Sequence, residues 1–490
     1  MTLKIFNTLT RNKEEFIPLE PGRVKIYACG VTVYDECHIG HARSAIIFDI
    51  IYRYLRHKGY EVTYVRNYTD VDDKIIQRAN QESVNPEIVA ERYMKAFDRD
   101  MESLGILRPD FEPRATAHIP QMIDLVMALE TRGYAYDTPD AVYFSVRRFR
   151  PYGRLSGQDL EHIESGVRVE PGEYKEDPLD FALWKKSKPG EPEWDSPWGK
   201  GRPGWHIECS AMSAYYLGQP FDIHGGGKDL IFPHHENEIA QSEAATGKPF
   251  VQYWVHNGWV TRDGAKMSKS LGNITTIREA LKTYHPDVLR FYFLSSSYRN
   301  DFDFTERGVC DARLGLERIA HVLQDLDEKS KGAIDDPSPR KGAEEELLNF
   351  VKTLPGRFEE AMDDDFNTAL ALSYFHETVR RLNRFMSEEE KTTAAQGILR
   401  RAGETLGRLG GILGLFQKGP SKFLAELRQL DRETIDLDEA EILRLVKERS
   451  EARKRKAWAE ADTIRDQLSA AGIILEDGPG GTTWKKKLDV

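Results

Sequence analysis

The fold is decided by Arg23-Val24-Lys25-Ile26-Tyr27-Ala28-Cys29-Gly30 and by His38-Ile39-Gly40-His41, which follows closely. The first segment predicts a buried strand, and apolar residues then recur at helical spacing from Gly40 to Arg56. A second strand is predicted over Glu61–Asn67. Strand, helix and strand at this spacing predict a right-handed crossover in a parallel sheet, with ligands outside the carboxyl ends of the strands. The segment around Gly40 lies at such an end.

The pattern of strands and helices stops and later resumes. Residues 120–204 hold one predicted helix, one short strand and a stretch rich in Gly, Pro and Trp, which indicates an insertion. The pattern returns with a helix over Trp205–Leu217, a strand over Phe221–His224, a helix over His234–Ala245 and a strand over Tyr253–Val260. We therefore predict an α/β fold with a parallel sheet whose two halves flank an insertion.

Helical patterns dominate the rest of the chain. They run from Ile277 to about Gly414, broken by a polar linker over Lys329–Lys341, and predict a helical bundle. A second irregular stretch is predicted over Lys418–Asp438. A small terminal unit follows, with two helices and short strands over Gly472–Glu476 and Thr482–Lys486.

Composition limits the classes of protein that fit. Four cysteines in 490 residues, without an even framework, favour a reducing compartment and a cytoplasmic location. The amino terminus lacks a signal-peptide pattern, and no apolar run is long enough to span a membrane. The formal net charge of −11 argues against general nucleic-acid binding, so a polyanion must be met by a local basic patch.

One basic cluster stands out near the carboxyl end. Seven residues between Arg444 and Lys456 are Lys or Arg, against Glu448 and Glu451. A solvated helix face would explain such a run. The adjacent Trp458 favours RNA binding instead, because an aromatic ring beside basic side chains can stack on unpaired bases.

A second set of residues has the chemistry of a metal site. Cys29 lies at the end of the first strand, Cys209 lies in the first turns of a later helix, and His234 and Glu238 are four residues apart on another helix. Each alone has an ordinary explanation, as a small buried thiol or a surface contact. Together, around one cleft, they form a mixed sulfur, nitrogen and oxygen set suited to zinc. The other two cysteines are predicted to be core residues, namely Cys37 and Cys310.

Two distant motifs can handle phosphates. His38-Ile39-Gly40-His41 offers ring donors at a helix amino terminus, and Lys266-Met267-Ser268-Lys269-Ser270 offers lysines on a loop. In this order they resemble the HIGH and KMSKS signatures of class I aminoacyl-tRNA synthetases. That resemblance implies a Rossmann-like catalytic domain that uses ATP with Mg²⁺.

Within that class the chain resembles the cysteinyl-tRNA synthetases of bacterial type along nearly its whole length. The matching stretches are Tyr27 to Asp35, Gly204 to Ser210, Asp222 to Leu230 and His234 to Glu238. The resemblance implies one Zn²⁺ per subunit, bound by Cys29, Cys209, His234 and Glu238. Zinc suits the task, since shape alone separates cysteine from serine by only about 10- to 200-fold. A metal that bonds the thiolate rejects an alcohol that stays protonated.

The resemblance also implies roles for other residues. His38, His41, Lys266 and Lys269 are expected to be catalytic, and ATP is expected to contact these residues together with Gly40, Asp229 and Ser268. Thr32 and Trp205 are expected to line the amino-acid pocket, near His206, His224 and His256. Trp458, Asp462 and Arg465 are expected to bind the anticodon. The glycines before Asp229 could equally form a tight turn with no ligand.

The expected organisation and partners follow from the same comparison. The expected domains are a first catalytic half (1–119), an insertion (120–204), a second catalytic half (205–260), a KMSKS loop and stem-contact region (261–328), a tRNA-binding bundle (342–417) and an anticodon-binding module (438–490). The partners would be L-cysteine, ATP and tRNA(Cys), with no membrane, and the chain would be a monomer.

Two alternatives remain at this point. A related ligase activates cysteine in the same way but joins it to an amino-sugar inositol, and it lacks the terminal extension that residues 438–484 form here. A non-catalytic RNA-binding paralogue is the other, and intact HIGH and KMSKS motifs argue against it.

Overall fold

The structure is a computed structural model that describes residues 2–158, 174–267, 272–331, 342–388, 392–435, 437–478 and 481–486. Internal contacts divide the chain into two compact units. The first consists of Met1–Thr261, Ser296–Phe302 and Glu359–Thr368, and the second consists of Arg262–Ser295, Asp303–Phe358 and Ala369–Val490.

Helices and strands alternate in the first half of the chain, and helices dominate the second. The helices are α1 (Ile39–His57), α2 (Asp73–Glu82), α3 (Pro86–Ser103), α4 (Ile119–Thr131), α5 (Trp205–Leu217), α6 (Glu236–Thr246), α7 (Ile277–Thr283), α8 (Pro286–Leu294), α9 (Glu306–Lys329), α10 (Ala343–Asp363), α11 (Thr368–Glu388), α12 (Thr393–Ile412), α13 (Pro420–Thr434), α14 (Glu439–Lys454) and α15 (Trp458–Ala470). The strands are β1 (Lys4–Asn7), β2 (Asn12–Glu15), β3 (Arg23–Thr32), β4 (Glu61–Thr69), β5 (Ala135–Asp137), β6 (Ala141–Phe144), β7 (Phe181–Lys186), β8 (Gly201–Pro203), β9 (Phe221–Gly227), β10 (Val251–Asn257), β11 (Val260–Arg262), β12 (Ala265–Lys266), β13 (Phe302–Phe304), β14 (Ile473–Gly478) and β15 (Gly481–Lys486).

The first unit is built on a four-stranded sheet with the order β10-β9-β3-β4. All three neighbouring pairs run parallel, which confirms the predicted α/β fold. Val24, Ile26, Tyr27 and Ala28 are all buried in β3, as expected for a parallel strand covered on both faces. The strands β4 and β9 lie on opposite sides of β3, so the strand order reverses there. In α/β sheets, ligands bind at this reversal.

The insertion has a sheet of its own. Strands β5 to β8 pair in sequence order, and all three pairs are antiparallel. Its apolar side chains, including Phe144 and Trp184, share one core with Ile207 of α5 and Trp254 of β10. The insertion therefore packs directly on the elements that lead into the site.

Helices form most of the second unit. Helix α9 packs against α8, α12 and α13. The prediction of an irregular stretch over Lys418–Asp438 is wrong, because most of it forms α13. This helix begins at Pro420 and buries Phe423, Leu424 and Leu427, an apolar stripe that the surrounding charged residues obscure in the sequence. Most of the predicted linker, residues 332–341, lies outside the described residues.

The last helices and strands form a small module. Helices α14 and α15 pack with the antiparallel pair β14 and β15 around a core of Ile442, Leu445, Ile464, Leu468 and Ile473. This arrangement confirms the predicted two helices and two strands. No helix in the described part of the chain combines the length and apolar character needed to cross a membrane.

Candidate active site

Two strand ends meet at the centre of the parallel sheet. Ala28 of β3 pairs with Gly225 of β9, and the pairing of β3 with β4 shifts register between Ala28 and Val31. The resulting bulge contains Cys29 and Gly30. A Cβ on Gly30 would lie 1.6 Å from the carbonyl oxygen of Asn67, so only glycine fits there. The close approach of β4 thus fixes the backbone that presents Cys29.

The four predicted metal ligands lie together in this place. Their ligand atoms, from Cys29, Cys209, His234 and Glu238, are all within 4.8 Å of one another. The two sulfur atoms are 3.6 Å apart, and His234 Nε2 is 3.0 Å from Glu238 Oε1. Cys209, His234 and Glu238 are buried. Two sulfurs, one nitrogen and one oxygen at this spacing could hold one divalent ion.

Further histidines surround these four residues. His224 Nε2 lies 2.8 Å from Glu238 Oε2, and its Nδ1 lies 3.1 Å from the carbonyl oxygen of Tyr27. Both ring nitrogens of His224 are therefore engaged by oxygen atoms. His235 Nε2 lies 3.2 Å from Cys29 Sγ, so a second group of four, Cys29 with His224, His235 and Glu238, also meets the spacing of a metal site.

The buried charges compensate one another. Burial alone would raise the pKa of Glu238, but His224 and His234 outweigh it and lower that pKa to about 2. Burial alone would lower the pKa of His234, yet Glu238 and Cys209 raise it to about 10. Burial raises the pKa of the Cys29 thiol, and the neighbouring Cys209 raises it further. Glu238 and His234 therefore stabilise each other's charged form.

The His38–His41 segment caps α1. His38 Nδ1 accepts the backbone N–H of Gly40 at 3.1 Å, and His41 Nδ1 accepts the backbone N–H of His38 at 3.2 Å. Burial and the neighbouring His38 lower the pKa of His41 to about 3. Nδ1 is thus an acceptor in both rings, and the proton of the neutral His41 ring lies on Nε2. The two rings stack, with centroids 3.9 Å apart.

The motif over Lys266–Ser270 lies only partly within the described residues. Lys266 lies in β12. Ser268 and Lys269 lie outside the described residues. Asp229 is exposed in a short turn after β9, where a Cβ on Gly227 would lie 2.3 Å from its carboxylate.

The predicted pocket residues occupy different places. Trp205 begins α5, and its ring stacks on His234 with centroids 4.3 Å apart. Thr32, at the end of β3, is half-buried. His206 Nδ1 lies 2.9 Å from His234 Nδ1, and His256 Nε2 lies 2.7 Å from His235 Nδ1, so both histidines contact residues of the cluster.

In the terminal module, Trp458, Asp462 and Arg465 all lie on α15. Trp458 is 58% exposed, and Arg465 pairs with Asp462 at 3.3 Å. Much of the basic cluster is already paired within the chain. Arg449 and Arg453 bind Asp477, Arg444 binds Glu441 and Glu448, and Arg455 binds Glu460.

Sequence reasoning missed several neighbours of the cluster. The contact of His235 with Cys29 was not predicted. The sequence does not show which of the two adjacent residues, His234 or His235, faces the cluster. Asn67 and Tyr27 were also missed, since each belongs to an ordinary-looking strand. The prediction that Cys37 is a core residue is confirmed, whereas Cys310 is only half-buried.

Three family models match the chain. A model described as the tRNA synthetases class I (C) catalytic domain matches residues 15–313. A DALR domain matches residues 357–417, and a cysteinyl-tRNA ligase anticodon binding domain matches residues 437–484.

Curated relatives and solved structures agree with these matches. Cysteine–tRNA ligases of Geobacter sulfurreducens and Geobacter metallireducens are 55% and 54% identical, over 99% of this chain and 100% of each relative. The methionyl-tRNA synthetase of Mycobacterium tuberculosis bound by methionyl-adenylate shares the fold, with a TM-score of 0.63 at 18% identity over 83% of this chain and 94% of that chain. The chain therefore belongs to the cysteine–tRNA ligase family of class I aminoacyl-tRNA synthetases.

Proposed function

We propose that this ligase recognises L-cysteine through one Zn²⁺ ion held by Cys29, Cys209, His234 and Glu238. The proposal depends on one observation: the four ligand atoms all lie within 4.8 Å of one another, and three of the four residues are buried. Two thiolates, one imidazole and one carboxylate form a donor set that zinc accepts readily. The bulge at Cys29 and the helical spacing of His234 and Glu238 bring the set together.

The alternative group with His224 and His235 fits less well. His224 is engaged at both ring nitrogens, by a carbonyl oxygen and by Glu238, so it supports the carboxylate rather than competing as a ligand. His234 presents Nε2 to Glu238 and turns Nδ1 to His206, which is the usual arrangement of a ligand histidine held by a neighbour.

Selection of cysteine would follow from this site. A bound zinc ion would coordinate the substrate thiolate and keep it deprotonated, whereas serine offers only a protonated alcohol. Trp205 covers His234 and would bound the pocket on that side, and Thr32 would line it at the end of β3. Selection at this step agrees with the size of the insertion, which is too short for a large editing domain.

The activation step would take place at the start of α1. The substrate carboxylate would attack the α-phosphate of ATP in line, forming cysteinyl adenylate while pyrophosphate leaves with the electrons of the broken P–O bond. His38 and His41 would donate to the phosphates from Nε2, and Lys266, Lys269 and Mg²⁺ would offset the phosphate charge. Gly40 would let ATP approach the backbone. Asp229 would bind the ribose, and Ser268 would complete the phosphate contacts.

The transfer step would use tRNA(Cys). The 2′-hydroxyl of its terminal adenosine would attack the activated carbonyl and release AMP. The terminal module would bind the anticodon through Trp458, Asp462 and Arg465, since sequence-specific RNA recognition uses splayed bases met by aromatic and polar side chains. We propose a monomer with one metal ion, acting in the cytoplasm on these substrates. The anticodon-binding match over residues 437–484 favours tRNA over an amino-sugar acceptor.

The test combines metal analysis with exchange of pyrophosphate into ATP. The purified protein should hold one zinc per chain and support exchange with cysteine but not with serine. Removal of the metal by a chelator should abolish exchange, and readdition of zinc should restore it. Full exchange activity in metal-free protein would overturn the proposal.

A further inference from the structure

Arg43 of α1 is a fully buried arginine whose side chain binds main-chain oxygens. Its exposed fraction is 0%, and every hydrogen bond that it makes among the described residues goes to a carbonyl oxygen. Its two terminal nitrogens donate to five of them, at 2.7 to 3.3 Å, namely those of Gly258, Trp259, Ser297, Tyr298 and Asn300. A buried charge is costly, and an apolar side chain could fill the same space, so this arrangement calls for a functional explanation.

The five oxygens belong to two segments of chain that also contact each other. They lie 215 to 257 residues from Arg43 along the sequence. The Gly258 N–H donates to the Tyr298 carbonyl at 2.9 Å, and a Cβ on Gly258 would lie 2.2 Å from the Asn300 carbonyl oxygen, so only glycine fits there. Arg43 therefore joins two segments that already bind each other to the first turns of α1, two residues after His41.

The same segments carry a group of partly exposed side chains past the carboxyl ends of β9 and β10. The Trp259 N–H donates to Asp301 Oδ1 at 3.1 Å, and that oxygen lies 3.8 Å from Lys228 Nζ. The ammonium of Lys228 lies 5.6 Å from the centre of the Trp259 ring, which belongs to a residue that is 39% exposed. Lys228 immediately precedes Asp229. Ligands bind at the carboxyl edge of a parallel sheet, and an aromatic ring beside polar groups suits a nucleoside.

We propose that Arg43 is a positioning residue for ATP. It fixes Trp259 and Asp301, and through Asp301 it fixes Lys228, at the edge where the nucleotide binds. The inference rests on the proposed function, in which ATP binds at the start of α1 and Asp229 binds the ribose. Arg43 does not touch the reacting atoms. A misplacement of about 1 Å can cost about 100-fold in rate, so a fixed spacing between α1 and Trp259 has a large kinetic value.

Arg43→Lys is the first test, because it keeps the buried charge but replaces the planar fork by one ammonium with three donors. The matched control is Arg66→Lys, the same change at a buried arginine that binds Glu112 at 2.8 Å. In Arg43→Lys we expect kcat/KM for ATP in cysteine-dependent pyrophosphate exchange to fall about 100-fold. The KM for cysteine should stay within about threefold, and zinc should stay at one per chain. Arg66→Lys should leave all three quantities close to the wild type.

Asp301→Ala gives a second arm with a variant that should fold, because the Asp301 side chain is 49% exposed. It removes the acceptor of the Trp259 N–H, so the KM for ATP should rise about fivefold, the usual cost of one lost hydrogen bond. Asp137→Ala is the control, since it removes a carboxylate of similar exposure, 43%, that pairs with Lys186. An unchanged KM for ATP in Asp301→Ala would overturn the proposed route from Arg43 to the nucleotide.

The wild-type protein separates this inference from the proposed function. If the wild type supports no cysteine-dependent exchange, the proposed function fails, and the role of Arg43 with it. If the wild type is active and Arg43→Lys keeps its kcat/KM for ATP, only the role of Arg43 fails. A parallel loss of zinc, cysteine affinity and ATP affinity in Arg43→Lys would also overturn that role, because it would show a general loss of structure. If Arg43→Lys is insoluble, the KM for ATP of Asp301→Ala decides.

Discussion

The buried cluster around Cys209 and the terminal module around Trp458 differ in how far their side chains are enclosed by the protein. In the cluster, Glu238 is fully enclosed, and its charge is offset by His224 and His234 within 3.0 Å. In the module, Trp458 is 58% exposed, and Arg465 pairs with two exposed carboxylates, Asp462 and Asp466. The cluster is preorganised by its own packing, whereas the module offers a face that a partner must complete.

The two sites therefore differ in how much one side chain contributes to the free energy of stability or binding. Removal of one member of a buried charged group leaves its partners uncompensated, so single substitutions there have large effects. The charges of exposed side chains are screened by water, so each exposed ion pair contributes little to the free energy of unfolding. We therefore expect the largest effect of a single substitution to occur in the cluster.

Cys209→Ala should have the largest effect. It removes one of two sulfurs, so we expect zinc to be lost and cysteine-dependent pyrophosphate exchange to fall by about a thousandfold or more. Metal analysis and exchange on the same preparation test this. Cys37→Ala is the matched control, since it also removes a buried thiol but should keep both metal and activity. Retention of zinc and exchange in Cys209→Ala would contradict the ligand assignment.

His41→Ala should come next. It removes a neutral ring whose Nε2 is expected to donate to the phosphates, so we expect the exchange rate to fall about 10²- to 10³-fold. The zinc content should not change, because the ring caps α1 rather than facing the cluster. A variant that loses metal together with activity would show that the two sites are not separate.

His224→Gln should weaken zinc binding by about 10- to 100-fold, the usual cost of losing a group that orients a ligand. The cause is loss of the contact with Glu238 Oε2. Competition with a chromophoric chelator measures it. His118→Gln is the control, because His118 is also buried but contacts Arg114 and Tyr216. Equal loss of affinity in the two variants would point to general destabilisation instead.

Trp458→Ala should reduce kcat/KM for tRNA by about 10- to 100-fold if the ring stacks on one base. Pyrophosphate exchange, which needs no tRNA, should be unchanged. Leu443→Ala removes a side chain of similar exposure, 54% against 58%, from the neighbouring helix α14. If both substitutions reduce tRNA charging equally, aromatic stacking is not the reason.

The smallest effect concerns pH. Hydrogen bonds from Arg449 and Thr482 lower the pKa of Asp477 below its usual range. A carboxyl with a lowered pKa stabilises the fold above its unfolded pKa and loses that contribution as the pH falls. Asp477 is 41% exposed, so Asp477→Asn should cost less than about 1 kcal/mol. Hydrogen exchange of β14 measures it, and the difference between the two proteins should shrink progressively as the pH falls below about 4 towards the lowered pKa of Asp477. A difference that grows on acidification would contradict the assignment.

The strands and helices that hold the site could be predicted because their residue patterns are periodic. The apolar run of β3, the helical spacing after Gly40 and the four-residue interval between His234 and Glu238 each have one simple structural solution. The parallel sheet then follows from chain order. Helix α13 escaped prediction because only Phe423, Leu424 and Leu427 carry its stripe, among many charged residues.

The surroundings of the site could not be predicted in the same way. Whether His234 or His235 faces Cys209 depends on a short turn of backbone over Ile231–His235 that precedes α6. The contact of Asn67 with Gly30 depends on a bulge in β3, which no residue pattern announces. The pairing of Arg449 with Asp477 joins residues 28 positions apart. Such long-range contacts arise from packing, not from local spacing.

In the proposed function, the substrate sulfur bonds a metal ion in the buried cluster. X-ray absorption at the zinc edge tests it most directly, on the wild-type protein alone, with cysteine and with serine. We predict two sulfur neighbours at about 2.3 Å in the free protein and with serine, and three with cysteine. A sulfur count that does not change when cysteine binds would contradict the account.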